Sequence, residues 1–436
     1  MTFNFAVPAN RMRWLVCMFV MWFSTSAAPA QVDIDLWHGF TGLRSEAITR
    51  LANQFNASQS AWRVRPVYKG SNADLVGLGL AAQREKRAPH LLHLDQAGGA
   101  ALAANRKAYR PVQMLLQDGA QRFRPDIYLP GALETSTDTL GRVMSLPLGA
   151  ASVAFYFNRE IFLNAGLNPD KPPHTWREVQ EAAMKIIDAE ISACGFASDR
   201  QTWVLVENVL AMSDESVTEQ AGPFSHITAL NFSNRLLMRH IGMLSSWAKS
   251  ELFSYFGPNN EAGERFAAGE CAMLASSSAL YAQLLAKSPT RFGMAPMPVY
   301  EDFPPHRTLS SGSSIWVLTG KPQKEYRGVA SFLTYLSSPE ARAQWHQLTG
   351  DLPLTRQAYE ITKKAGFYQH NPWAEVALQS ARLARRMPSR LQQIPLLTRI
   401  RAILDDELEE VWAQRKTPKE ALDDASERST RMLHRK

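Results

Sequence analysis

Few side chains in this chain are arranged to do chemistry, and their spacing points away from the common catalytic machines. No HExxH, G-x-S-x-G or complete P-loop occurs; Gly320-Lys321 runs into Pro322 and lacks the upstream glycine of a phosphate-cradling loop. Gly77, Gly79 and Ala82 match GxGxxA, but within a predicted helix rather than at a strand-to-helix turn, where a pyrophosphate would need them. His90 and His93 are three apart on a predicted strand and so face opposite sides, which argues against a shared metal. A secreted hydrolase acting on glycerophosphodiesters or glycans would need paired carboxylates at a defined separation, and Asp95 with Asp351 is the pair to nominate. No catalytic residue, metal or cofactor is assigned on this basis.

More informative are small polar and aromatic residues at places where strands should end. Trp37-His38-Gly39, Tyr68-Lys69-Gly70 and Asp95-Gln96 close the first three predicted strands. Trp203 lies in a loop-to-helix region, Ser276-Ser277-Ser278 follow a strand starting at Cys271, and Ser310-Ser311-Gly312-Ser313 lead into Ile315-Trp316. In open α/β sheets ligands bind beyond the carboxyl ends of strands, and helix N-termini there present free amides to anions and hydroxyls. Trp316, inside an apolar strand, belongs to the core instead.

The elements that must position these residues read as α/β. Strands are expected at 33–38, 63–68 and 90–94, with helices at 43–55, from 72 to about 84, and after Gly98. That alternation implies right-handed βαβ units and a parallel sheet. Residues 143–157 form a long β-type run with no helix between its halves, ending at Asn158, a good helix cap; such a run can pass from one lobe to another. Thr175-Trp176 starts a new helix, 309–318 returns as a strand, and the rest is helical, closing with 396–412 and 418–434.

Composition bounds the class. A 45% hydrophobic and 20% charged chain is ordinary globular protein. Arg11 and Arg13 precede an apolar run from Trp14 to Phe23, then Ala28-Pro29-Ala30: a secretory signal peptide cut after Ala30, too short to span a bilayer. Export to the periplasm as a soluble protein follows, with roughly 400 residues remaining, enough for two lobes. The leader carries two arginines and no acid, so the net charge falls from +7 to about +5, too modest to imply nucleic acid. Cys194 and Cys271 remain, either as one disulfide or as two small buried hydrophobes.

In order and content, several segments resemble the extracytoplasmic solute-binding proteins of ABC importers, in particular the glycerol-3-phosphate-binding family, which is maltose-binding-like. They are VYKG at 67–70, FYFNREIFLNAGLNP from Phe155, GECAM at 269–273, QWHQLTG at 344–350 and DDELEEVWAQRKTP at 405–418. The resemblance implies a two-lobed periplasmic binding protein fold with crossover strands and hinge closure. Residues 1–30 would be the leader, 31–145 the first α/β lobe completed by about 309–350, and 146–308 the second. Residues 351–436 would be a helical segment across the second lobe and cleft. The partners implied are a small polar ligand and the permease's transmembrane subunits, with the protein a monomer; a chemoreceptor is a possible partner in place of the permease.

The resemblance also carries ligand-binding positions: Tyr68, Ser276 to Ser278, Gly312 and a C-terminal arginine, Arg390. Elsewhere the chain departs from the family. Gln96, beside Asp95, stands for a glutamate; Ala150-Ala151 replace a serine pair and leave Ser152; Arg200 replaces the first of two tryptophans, with Trp203 keeping the second; Asp351 replaces a tyrosine. An ionised Asp351 in the pocket would repel a phosphate, and Arg200 pointing inward would restore positive charge. Otherwise Asp351 is a solvated loop residue. These changes leave two guests open: glycerol-3-phosphate or a glycerophosphodiester such as glycerophosphocholine, or else a carbohydrate or polyol.

Overall fold

Burial alternates along the first strand, with Ile34, Leu36 and His38 inward and Asp33, Asp35 and Trp37 toward the other face, the period of a half-buried strand. A computed structural model describes residues 1–4, 31–119, 123–129, 131–138, 140–220, 227–287, 291–303, 308–382, 391, 394 and 396–434. The predicted leader's apolar run with its cut at Ala30, and Arg390, lie outside the described residues. Among those described, no helix is long and apolar enough to cross a membrane.

In chain order the first sheet takes β1 (Val32–His38), β2 (Trp62–Tyr68), β3 (Leu91–Asp95), β4 (Tyr109–Arg110) and β5 (Leu146–Ala151). The second takes β6 (Val153–Asn158) and β7 (Cys194–Ser198); β8 (Thr218–Gln220) and β9 (Ile227–Leu230) form a separate ribbon. Then β10 (Phe253–Ser254), β11 (Cys271–Ser277) and β12 (Phe292–Ala295) complete the second sheet, and β13 (Ser311–Leu318) returns to the first. The strand orders are β2-β1-β3-β13-β4, with β5 also on β13, and β10-β7-β11-β6-β12. One residue, Ser152, separates β5 of the first sheet from β6 of the second, so the long β-type run is indeed a crossover.

The first sheet is mixed rather than parallel. β1 pairs in parallel with β2 and β3, but β13 runs antiparallel to β3, β4 and β5. The chain re-enters this lobe from the cleft, at the end where β1 to β3 finish, and can only run the other way. The second sheet keeps β7, β10 and β11 parallel and sets β6 against them, and β12, antiparallel to β6, runs their way again. In both lobes the parallel strands therefore deliver their carboxyl ends to the same gap.

Each lobe has its own core. Ile34, Leu36, Leu91, Ile315 and Phe332 are among the fully buried residues of the first; Phe155, Phe196, Trp247 and Met273 are among those of the second. Trp316 is in the first lobe's core, as the sequence suggests. Local start signals hold: Asn158 accepts amides from Glu160 and Ile161, and Thr175 with Glu178 forms a capping box on Trp176–Asp188. The closing helices Leu397–Trp412 and Pro418–Leu433 pack into the second lobe's core. Cys194 and Cys271 stand opposite in register on β7 and β11 and form a disulfide.

Candidate functional site

The cleft is built from strand ends. On the first lobe, α1 (Gly42–Ala57) follows β1, α2 (Asn72–Arg84) follows β2 and α3 (Gln96–Ala103) follows β3. Asp95 caps α3, its Oδ1 accepting the Gly98 amide at 2.8 Å, and Gln96 is that helix's first residue. Tyr68 ends β2 and stays 55% exposed, its ring tilted on His38 at 6.1 Å, so it sits at the rim rather than under cover. His93 lies tilted against Phe40 with ring centroids 3.7 Å apart, and His90 pairs with Glu325 on the lobe's outer helix. Among the described residues no group of His, Cys, Asp or Glu is arranged to hold a metal.

Facing α3 from the second lobe are Arg200 and Trp203, at the end of β7 and in the π-helical turn Thr202–Glu207 that follows. Ala97 of α3 packs into the same apolar cluster as Trp203 and Leu404, which closes the two lobes on each other there. Arg200 takes a left-handed backbone conformation, φ 41°, unusual for a non-glycine residue, and its guanidinium lies over the Trp203 ring at 5.1 Å. Its Nε and the Trp203 Nε1 are sealed from solvent without an acceptor. Burial, then the charge of Arg44 across the cleft, pushes the Arg200 pKa down to about 10, against the pull of Asp199 and Asp95.

Three further groups pack here that the sequence did not nominate for the site, two of them on the predicted helix at 396–412. Arg401 forms a two-pronged ion pair with Glu207, at 2.6 and 2.9 Å, and Glu207 is 2% exposed. Asp405 accepts the Thr202 hydroxyl at 2.6 Å. Burial pushes the Asp405 pKa up to about 6, against the lowering by that hydrogen bond and by Arg401. Because the fold favours the neutral acid, its contribution to stability is complete below about pH 4 and is lost as pH rises through 6. An Asp405→Asn variant should therefore gain on the parent, by up to about 3 kcal/mol, between pH 4 and pH 7.5. Urea midpoints of both proteins across that range measure it; a pH-independent difference would refute the assignment.

The serine cluster is differently placed from the sequence expectation. β11 runs on through Ser277, so Ser276 and Ser277 belong to the strand instead of following it. Ser276 donates to Asp199 Oδ2 at 2.6 Å, the Ser277 hydroxyl accepts the Ala279 amide, and Ser278 Oγ accepts the Ser152 amide at 3.1 Å. With Ser152 Oγ donating to the Ala377 carbonyl, these hydroxyls tie the crossover to its neighbours. Gly312 is likewise within β13, opposite Ala150 of β5, and not in a loop.

Asp351 departs most from expectation. It is neither solvated nor a bare charge in a pocket: it is 2% exposed, its Oδ1 takes a hydrogen bond from Arg44 at 2.5 Å and its Oδ2 one from the Trp345 indole at 2.9 Å. Arg44 lies in the first turn of α1, beside the end of β1. Gly149 makes the packing possible, since a Cβ there would lie 2.1 Å from Asp351 Oδ2. The paired carboxylate is thus consumed by the protein, which removes both the repulsion and the Asp95–Asp351 catalytic pair. Strand-end reasoning stops at Gly39, one helical turn short of Arg44; Arg401 and Glu207 leave no local signal at all.

Two α/β lobes, joined by strands that cross at a cleft lined by their carboxyl ends, define the class of hinged solute-binding proteins. The chain belongs to the family of bacterial extracellular solute-binding proteins, which residues 50–374 match. It is 36% identical over 428 residues to the sn-glycerol-3-phosphate-binding periplasmic protein UgpB of Yersinia enterocolitica, covering 96% of each chain. To the same-named protein of Rhizobium meliloti it is 37% identical over 403 residues, 92% of this chain and 94% of that one. Among solved structures it is similar to UgpB from Mycobacterium tuberculosis in complex with glycerophosphocholine, with a TM-score of 0.79 and 18% identity over 92% and 98% of the two chains. Maltose-bound MalE3 of T. maritima is similar at a TM-score of 0.76 and 16% identity, over 92% and 100%.

Proposed function

We propose that this chain is the periplasmic substrate-binding component of an ABC importer, and that it captures a glycerol-phosphate-like ligand by closing its lobes. Glycerol-3-phosphate and glycerophosphodiesters such as glycerophosphocholine are the guests we favour. The observation that carries this reading is Arg200, a guanidinium with no carboxylate partner among the described residues, whose Nε and the Nε1 of the adjacent Trp203 are both buried without an acceptor. Unmet donors call for oxygen-rich anions, since an acceptor supplied to a buried donor removes a penalty of about 1–3 kcal/mol. Full-length likeness to proteins named for glycerol-3-phosphate supports the same guest.

Binding alone accounts for these groups. Asp95 caps a helix and Asp351 is held by Arg44 and Trp345, so neither serves as a general acid or base. The protein acts as a monomer that hands its cargo to the transmembrane subunits of the permease. Calorimetric titration with glycerol-3-phosphate, glycerophosphocholine, maltose and a polyol should give micromolar affinity, about −8 kcal/mol, for one or both phosphates. The glycerophosphocholine should be recovered intact. Heat only with maltose or the polyol would move the reading to carbohydrate transport, and turnover of the diester would move it to a hydrolase.

A further inference from the structure

Arg200 is a cation without a counter-ion. Among the described residues no carboxylate lies within salt-bridge distance of it, although twenty-two other arginine or lysine side chain–carboxylate pairs are formed. Its neighbour Asp199 is committed elsewhere, Oδ1 to the Gly263 amide at 2.8 Å and Oδ2 to the Ser276 hydroxyl at 2.6 Å. Among the described residues the only partner of the guanidinium is the Trp203 ring, whose own indole N–H is also unmet. A guanidinium whose Nε is cut off from solvent with no acceptor is costly unless something pairs with it. The left-handed backbone at Arg200 adds to that cost, a combination kept where a site needs it.

On the first lobe Arg44 gives one nitrogen to Asp351 and its side chain is 35% exposed, so its charge is already matched and Arg200 is left as the unpaired cation. We propose that Arg200 is an anion-recognition residue of the second lobe, whose unpaired guanidinium meets the ligand's anionic group and so makes affinity depend on that group's charge. The inference deepens the glycerol-phosphate reading and rests on it. It implies preference for a doubly charged phosphomonoester over a singly charged phosphodiester, and no role for Arg200 toward a neutral sugar.

The test uses the mature protein and its Arg200→Gln and Arg200→Lys variants, titrated by calorimetry with glycerol-3-phosphate, glycerophosphocholine and inorganic phosphate at fixed salt. Arg200→Gln should weaken glycerol-3-phosphate about a hundredfold and glycerophosphocholine less, while Arg200→Lys recovers part of the loss. The ligand-free Arg200→Gln protein should melt no lower than the parent, because an uncompensated charge has been removed. Unchanged affinity in Arg200→Gln, or a lowered melting point with unchanged affinity, overturns the proposal. If the parent binds neither glycerol phosphate, the ligand reading has failed by itself. Inorganic phosphate then decides the inference: binding lost in Arg200→Gln upholds it, and binding retained or never present overturns it.

Discussion

A Cys194→Ala, Cys271→Ala double variant should lose about 4 kcal/mol of unfolding free energy and keep its ligand affinity. The two cysteines open β7 and β11, adjacent parallel strands in the middle of the second sheet, and the bond between them closes a loop with a sequence separation of 77. Cross-linking residues that far apart restricts the unfolded chain by about 4.5 kcal/mol on the loop-entropy account, and native disulfides commonly return 2–5. Alanine is the informative replacement. Serine would strand hydroxyls at positions 4% and 0% exposed and add an unrelated cost. Affinity should hold because the cysteines sit at the amino ends of their strands, opposite the carboxyl ends that line the cleft. Urea denaturation of parent and variant, with and without reductant, measures the effect. The reduced parent should match the variant, and coincident midpoints without reductant would refute it.

What the sequence disclosed depended on how local the cause was. Asn158 and the Thr175–Glu178 box are readable because a cap and its amides lie within three residues of each other. The crossover at Ser152 is readable because two β-type halves abut with no room for a helix. Segment resemblance supplied the family, and through it the two-lobed fold. The antiparallel return of β13 was not readable, since a strand's direction depends on where the chain re-enters and not on its residues. The pairing of the cysteines was left open for the same reason: their register is a property of the sheet.

At the site the sequence marked positions and missed their partners. Arg200 and Trp203 lie on the cleft face, but Ser276, Ser277 and Ser278 mostly satisfy protein groups at the strand ends. Arg401 and Glu207 are 194 residues apart, so neither announces the other. The reading of Asp351 failed for a physical reason. A carboxylate is repulsive to phosphate only while its charge is unmatched, and the cation that matches it is 307 residues away in α1. Substituting a family's tyrosine with aspartate therefore asks which donor has been recruited, a question answered only by packing.

That recruitment has a measurable size. Asp351→Ala should cost about 3 kcal/mol, the lower end of what breaking a buried pair costs, because Arg44 is a third exposed and water can take up part of its charge. The loss has two sources: the guanidinium without its carboxylate, and the Trp345 indole without an acceptor inside the first lobe's core. Asp351→Asn keeps an acceptor for the indole and should lose about half as much. Arg44→Gln leaves the carboxylate buried and unmatched, so it should destabilise as strongly as Asp351→Ala. Arg44→Gln combined with Asp351→Asn exchanges the ion pair for a neutral amide pair and should recover most of the stability. A double-mutant cycle on unfolding free energies reads the coupling directly, expected at about 3 kcal/mol. Additive losses would mean that Arg44 and Asp351 do not depend on each other, and the charge balance assigned to this side of the cleft would have to be redrawn.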